Sequence, residues 1–307
     1  MKVAISSLGN MSKKLYILLA TIVLIAIVVS IYGRQTNEDA SFEPIKIGVI
    51  SPLTGTASSY GDPSVKATIL AAEQLNKRGG ILGREVELLI EDGKCEAKSA
   101  IDAFHKLTLD DVSIILGGHC SSESLAIGPL ANERGILQIA TLTSVPEYSE
   151  LGRYSFRNYP SSKFFMSKLA ELAYHDRSSR KIAVIYEEKD FPYGQYISFK
   201  GAFEQSSGEI VEVFSFLPDS TDFRSIITKL ATLDIDSVLF APQGNPQAIA
   251  FFKQMSEAGL LTRFNIYAGV VGVDRTVQEA TGGLLKENVV SVGLYVDPKR
   301  PTTKKFS

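Results

Sequence analysis

The chain has 307 residues, 34 acidic and 32 basic, with a formal charge of −2. That length can bury a sizeable core, and the near balance of charge leaves no global field to gather nucleic acid, so no nucleic-acid partner is expected. There are only three histidines, and no metal-ligand spacing, P-loop or Gly-x-Gly-x-x-Gly pattern, so metals and nucleotide cofactors are not expected either.

Residues 1–43 are read apart from the fold, as a membrane anchor or signal segment plus linker. Tyr16 to Gly33 is an uncharged apolar run with Lys13 and Lys14 before it and Arg34 after it. The lysines ahead and the acidic Asn37-Glu38-Asp39 behind put the N-terminus in the cytoplasm and the rest outside. The run approaches the length that crosses about 30 Å of hydrocarbon at about 1.5 Å per residue. Val28 and Ser30 equally suit a cleavage site. Retention as an anchor through residues 16–33 and removal as a signal both stand as readings. Cys95 and Cys120 fall in the exported part, where a disulfide can form. If they pair, a loop of about 26 residues is worth roughly 3 kcal/mol in the chain-entropy model.

From residue 45, short β-branched runs alternate with longer amphipathic stretches, the pattern of repeated βα units around a mainly parallel sheet. Strands are predicted at 45–50, 86–91, 113–117, 137–140, 181–186, 210–216, 237–240, 264–268 and 289–296. Helices are predicted at 63–77, 96–109, 122–134, 162–175, 194–205, 222–233 and 246–258. Asp62-Pro63 reads as an N-cap with proline at the first helical position, and Arg78-Gly79-Gly80 as the stop. The rhythm breaks at 151–161, read as a crossing between two lobes, and a second crossing is expected near 282–288. Residues 44–158 and 287–307 then form the first lobe, and 159–286 the second. Phe164, Phe165, Phe251 and Phe252 occupy helical positions suited to packing and are read as core.

In open α/β sheets, ligands sit beyond the carboxyl ends of the strands. Three of those turns are rich in hydroxyls: Ser51-Pro52-Leu53-Thr54-Gly55-Thr56-Ala57-Ser58-Ser59-Tyr60, Gly118-His119-Cys120-Ser121-Ser122-Glu123-Ser124, and Thr141-Leu142-Thr143-Ser144. Hydroxyls and free N–H groups at a helix start suit an anionic oxygen. Taken singly, each of these serines and threonines could equally be a helix cap. Three such loops at one edge favour a pocket.

On these residues the sequence resembles the leucine/isoleucine/valine-binding protein family of type I periplasmic binding proteins, from about residue 45 to 297. The likeness is carried by Ile47-Gly48-Val49-Ile50-Ser51-Pro52-Leu53-Thr54-Gly55, Asn76-Lys77-Arg78-Gly79-Gly80-Ile81-Leu82-Gly83-Arg84, Cys95, Gly118-His119-Cys120-Ser121-Ser122 and Phe191-Pro192-Tyr193-Gly194. The resemblance implies an α/β fold of two Rossmann-like lobes with mainly parallel sheets joined by a hinge. It also implies capture of a small polar ligand (an amino acid, amide or carboxylate) for an ABC permease, with no catalysis. It assigns Ser121, Ser122, Thr143 and Ser144 to the ligand side of their loops, with Ser121 and Ser144 holding a carboxylate. The Leu142 carbonyl is matched to an ammonium, Tyr60 and Tyr193 to aromatic walls, and Cys95 and Cys120 to the family disulfide.

The chain departs from the family at Val270, which stands where branched-chain binders place an acid to pair with the ligand ammonium. Asp274 or Glu123 could substitute; an amide, or a carboxylate without an amine, is the other reading. Gln243-Gly244-Asn245 supplies a polar floor. The chain is also short for the family, so its fold is expected to lack the last elements of the first lobe and to leave a sheet edge uncovered. A nucleophile at Cys120 beside His119 is set aside, because a disulfide-bonded sulfur is no thiolate. A membrane-tethered ligand-sensing domain of a signalling receptor is the rival reading.

Overall fold

Strands rich in β-branched residues can pair in parallel only when helices cover both faces of their sheet. The computed structural model, which describes residue 18 and residues 20–29, 43–55 and 57–293, places the strands in two such sheets. The first contains β1 (Ile45–Ser51), β2 (Val86–Asp92), β3 (Ile114–Gly117), β4 (Leu137–Ala140) and β5 (Ser155–Arg157), in the order β2-β1-β3-β4-β5. The second contains β6 (Lys181–Glu187), β7 (Glu209–Phe216), β8 (Ser237–Ala241), β9 (Asn265–Ala268) and β10 (Val289–Ser291), in the order β10-β9-β8-β6-β7. Every pairing within the two sheets is parallel. Read from the other edge, the second order repeats the first. In each lobe the winding therefore reverses between the first and third strands, and the crevice of a doubly wound sheet opens there.

The helices are α1 (Ser58–Asn76), α2 (Ala97–Leu109), α3 (Ser121–Arg134), α4 (Ser162–Glu171), α5 (Asp190–Gln205), α6 (Arg224–Leu230), α7 (Asn245–Glu257) and α8 (Arg275–Ala280). In the second lobe they sandwich the sheet. Phe165, Met166, Leu169, Phe199 and Phe203 pack on Ile182, Val184, Leu239 and Tyr267 on one side. Phe223, Phe251, Phe252 and Met255 pack on Ile185, Val238, Phe240 and Ile266 on the other. Phe240 is the hub of that second layer: its ring stacks on Phe251 at 4.0 Å and meets Phe223 edge-on at 5.7 Å. Phe164, expected in the core, is 68% exposed, because the helical period turns it away from Phe165.

In the first lobe, Ile50, Phe104, Leu107, Ile115 and Ile127 form a core beneath α2 and α3. The α1 side is less covered: Ile69, Leu70 and Leu75 of α1 and Phe156 of the edge strand β5 remain exposed.

Several boundaries differ from expectation. Helix α1 starts at Ser58 and contains Pro63, because Tyr60 and Gly61 already donate to the Ala57 carbonyl. Gly61 is wedged under Pro52, where a Cβ would fall 2.0 Å from the Pro52 oxygen. Asp62 is therefore no cap, and pairs with Lys66 one turn on at 2.7 Å. Within the expected break, 155–157 form β5, leaving 158–161 as the crossing.

The expected return to the first lobe at 287–307 is corrected over its described part. Val289–Ser291 pair with Ile266–Ala268 of β9, and Val290 and Val292 pack against the second-lobe core. Burial of those valines is what draws the strand there; residues 294–307 lie outside the described residues. Residues 20–29 are helical. No helix among the described residues is long and apolar enough to cross a membrane. Residues 16, 17, 19 and 30–33 of the predicted apolar run lie outside them.

Truncating the hub ring tests this packing: Phe240→Ala is expected to destabilise the chain by about 3–5 kcal/mol in urea unfolding.

Candidate functional site

The geometry at the end of β3 begins with a close approach between strands. Gly117 adopts φ +139°, and a Cβ there would lie 2.1 Å from the Ile50 carbonyl of β1, so only glycine lets the two strands part at the switch point. The chain then turns through Gly118, His119 and Cys120 into α3. Glu123, fully buried in the first turn of that helix, holds the turn in place. Its Oε2 accepts from the Cys120 N–H at 2.8 Å and its Oε1 from the Cys95 N–H at 2.9 Å, and the His119 N–H also donates to the carboxylate. A disulfide joins Cys95 to Cys120, with 5.3 Å between their Cα atoms, so the loop after β2 and the start of α3 move as one piece. Burial pushes the Glu123 carboxyl up to about 7, against the opposing pull of its three N–H donors and with a smaller push from Asp92.

Held in this way, the turn presents two side chains. His119 is buried and its Nδ1 lies 3.2 Å from Thr141 Oγ1, while Nε2 has no protein partner. Burial depresses its pKa to about 4, so the imidazole is neutral near pH 7. The Ser121 hydroxyl is likewise buried without a protein partner, as is that of Ser144. Leaving such a group unpaired costs about 1–3 kcal/mol, so these atoms mark a place where polar contacts are unmet.

A cavity of about 240 Å³ opens between the lobes at this point. Ala57, Tyr60, His119, Cys120, Ser121 and Leu142 line it from the first lobe; Tyr159 in the crossing and Phe191, Gln243, Val270 and Val271 line it from the second. The Tyr60 hydroxyl reaches across the gap to the second lobe, 2.7 Å from Asp274 Oδ2 and 2.8 Å from Asn245 Oδ1. Burial, and then Asp274, raises the phenol's pKa above its ordinary value, so it remains a donor. The other Asp274 oxygen caps α8 by accepting from the Val277 N–H at 3.0 Å.

Of the residues singled out in the sequence, Tyr60, Ser121, Leu142, Gln243 and Val270 come together at this cavity. Gln243 is fixed through its backbone N–H, which donates to Glu187 Oε2 at 2.8 Å. Four others are placed differently. Thr143 is spent inside the first lobe, 2.6 Å from Ser124 Oγ and donating to the Gly118 carbonyl. Ser122 donates to the Cys95 carbonyl at 3.1 Å. Tyr193 stands in a neighbouring groove with Tyr186, Glu188 and Lys189, because two residues of α5, about 200° around the helix, turn it away from the cavity wall at Phe191. Ser144 is buried but is not part of the cavity lining.

Neither acid considered as a partner for an ammonium is free. Glu123 is occupied by three N–H donors, and Asp274 by Tyr60 and its own helix. Sequence reasoning overlooked His119 as a wall residue, although its place just after β3 signalled it. Ala57, Tyr159, Phe191 and Val271 gave no separate signal. Among the described residues no group of His, Cys, Asp and Glu could hold a metal ion.

Two parallel-sheet lobes wound alike and meeting at a cavity beyond their strand ends define a two-lobed solute-binding protein. Comparison with known proteins agrees: the model of the Periplasmic binding protein family matches residues 44–307, and the chain belongs to that family. The Leu/Ile/Val-binding protein homolog 3 of Brucella melitensis is 25% identical over 266 residues, covering 86% of this chain and 71% of the relative. A leucine-binding protein of Thermotoga maritima superposes with a TM-score of 0.74 at 23% identity, over 85% of this chain and 74% of that one. An ABC transporter substrate-binding protein from Sphaerobacter thermophilus gives 0.74 at 25% identity, over 86% and 72%. These relatives are binding proteins, not enzymes, and the family is extracytoplasmic.

The folded chain holds a proton on Glu123 that the unfolded chain releases from about its ordinary value of 4.5, so this group's stability contribution falls as pH rises from there to about 7. His119, depressed from 6.5 to about 4, gains stability over much of the same window, so the two slopes oppose. Glu123→Gln isolates the first. The variant's unfolding free energy minus the wild type's is expected to rise by about 2–3 kcal/mol from about pH 5 to about pH 8, measured by urea titration at each pH.

Proposed function

We propose that this chain captures a small organic solute in the interlobe cavity by closing its lobes, and delivers it to an ABC-type permease. The observation that supports this best is the pairing of unmet, buried polar atoms at His119 and Ser121 with a cavity that both lobes build. A volume of about 240 Å³ suits a small solute, being below the roughly 300–1,000 Å³ of drug-sized pockets. The apolar run at residues 16–33 is read as the address that delivers the lobes outside the cytoplasm. The tethered sensor finds no support among the named relatives.

Closure works through the contact between Tyr60 and the Asp274–Asn245 pair, while the 158–161 crossing supplies the hinge. A solute touching both walls adds contacts available only in the closed state and so shifts the population toward it. Tyr60→Phe removes the hydrogen bond that Tyr60 makes across the gap and is expected to enlarge the radius of gyration of the ligand-free chain in X-ray scattering; an unchanged radius would discount the latch.

The reading as a whole is tested by a thermal-shift screen of the full chain against amino acids, amides, carboxylates and polyols. A true solute at about 100 times its dissociation constant should add roughly 2.7 kcal/mol. Ser121→Ala should weaken that solute by about 1–3 kcal/mol. A cooperative melt that no solute shifts sinks the reading.

A further inference from the structure

The cavity offers donors to an anion and, among the described residues, no carboxylate to a cation. Ser121 begins α3, a helix of 14 residues, and the amides of its first turn have no intrahelical acceptor. Beside them are the Ser121 hydroxyl and the His119 Nε2, both buried and unpaired. If the Thr141 hydroxyl donates to Nδ1, the neutral ring carries its proton on Nε2, an unpaired donor on a side chain that lines the cavity. Helix dipole, hydroxyl and imidazole N–H together suit a carboxylate.

The opposite wall offers an ammonium the neutral side-chain carbonyl of Gln243 and, among the described residues, no carboxylate. Val270 and Val271 face the cavity from the second lobe, with Phe191 and Tyr159 beside them. Both nearby acids are committed elsewhere, Glu123 to the turn and Asp274 to Tyr60 and the start of α8. Among the described residues, no Asp, Glu, Lys or Arg side chain lines the cavity. An ammonium brought here would lose its water without gaining a carboxylate, whereas an apolar body would lose nothing.

We infer that the cavity selects a monocarboxylate with an apolar body and no amine, its carboxylate held by the His119 imidazole and the Ser121 hydroxyl. This inference rests on the solute-binding reading above. It makes His119 a ligand-contacting residue and Val270 the residue that sets the preference against α-amino acids.

The test is calorimetric titration of the full chain with matched probes: 4-methylpentanoate against leucine, 3-phenylpropanoate against phenylalanine, and benzoate against benzamide. At least one amine-free acid is expected to bind tenfold or more tightly than its amino or amide counterpart. His119→Phe should cost that acid tenfold or more in affinity while the variant melts as cooperatively as the wild type. Val270→Asp should reverse the preference toward the amino counterpart. An amino acid or the amide binding as tightly as its partner acid overturns the inference, and so does undiminished acid affinity in a folded His119→Phe. If none of the six binds but the broad screen finds a solute of another class, the inference fails and the solute-binding reading stands. Silence in both experiments removes both.

Discussion

The cavity's first-lobe wall depends on one buried carboxylate. Glu123 gathers the N–H groups of Cys95, His119 and Cys120, and so binds the loop after β2 to the turn after β3. Those amides lie at a helix start and in a tight loop, and the two oxygens of one buried carboxyl group serve them. The disulfide spans the same two loops covalently. The cluster turns a Gly-rich, hydroxyl-rich segment into a rigid bracket, and His119 and Ser121 acquire their positions from it.

Rigid walls and a movable gap are divided cleanly in this chain. Each lobe is locked by its own core; in the second, stacked phenylalanines lie beneath β8, whose carboxyl end supplies Gln243. The polar links between the lobes include the Tyr60 hydroxyl, which reaches Asp274 and Asn245, and the Ser162 N–H, which donates to the Ser144 carbonyl at 2.7 Å beside the crossing. One phenol proton shared between two acceptors is a weak bond beside the cost of disturbing a packed core, so motion is concentrated at the 158–161 crossing. A bound solute then decides the equilibrium without deforming either lobe.

Chemical selectivity follows from which polar groups the fold has already used. Thr143, Ser122, Asp274 and Glu123 are all within a few residues of the cavity, yet each is satisfied by a protein partner. Among the cavity-lining residues, His119 Nε2 and the Ser121 hydroxyl remain unmet on one wall, facing valines, aromatic rings and Gln243 on the other. The inventory of residues near the site would suggest a polar, partly acidic pocket; the hydrogen-bond accounting leaves an apolar one with an anion seat.

The sequence by itself determined the βα rhythm, because hydrophobic period and turn residues are local signals that burial on both sheet faces reinforces. Eight of the strands fell within a residue or so of their observed places for that reason. It also pointed to the loops after β1, β3 and β4, since strand ends are where such sheets bind. Only the tertiary structure decided which members of those loops face the cavity. Thr143 and Ser144 are neighbours in sequence, but one is bonded to Ser124 and the other is unpaired, a distinction set by what packs against them. The short strand β5 and the placement of β10 beside β9 were likewise out of reach, because three-residue strands carry almost no period and owe their pairing to the sheet they join. The commitment of Asp274 to Tyr60 joins residues 214 positions apart, and no local pattern can announce a contact made only when two lobes meet.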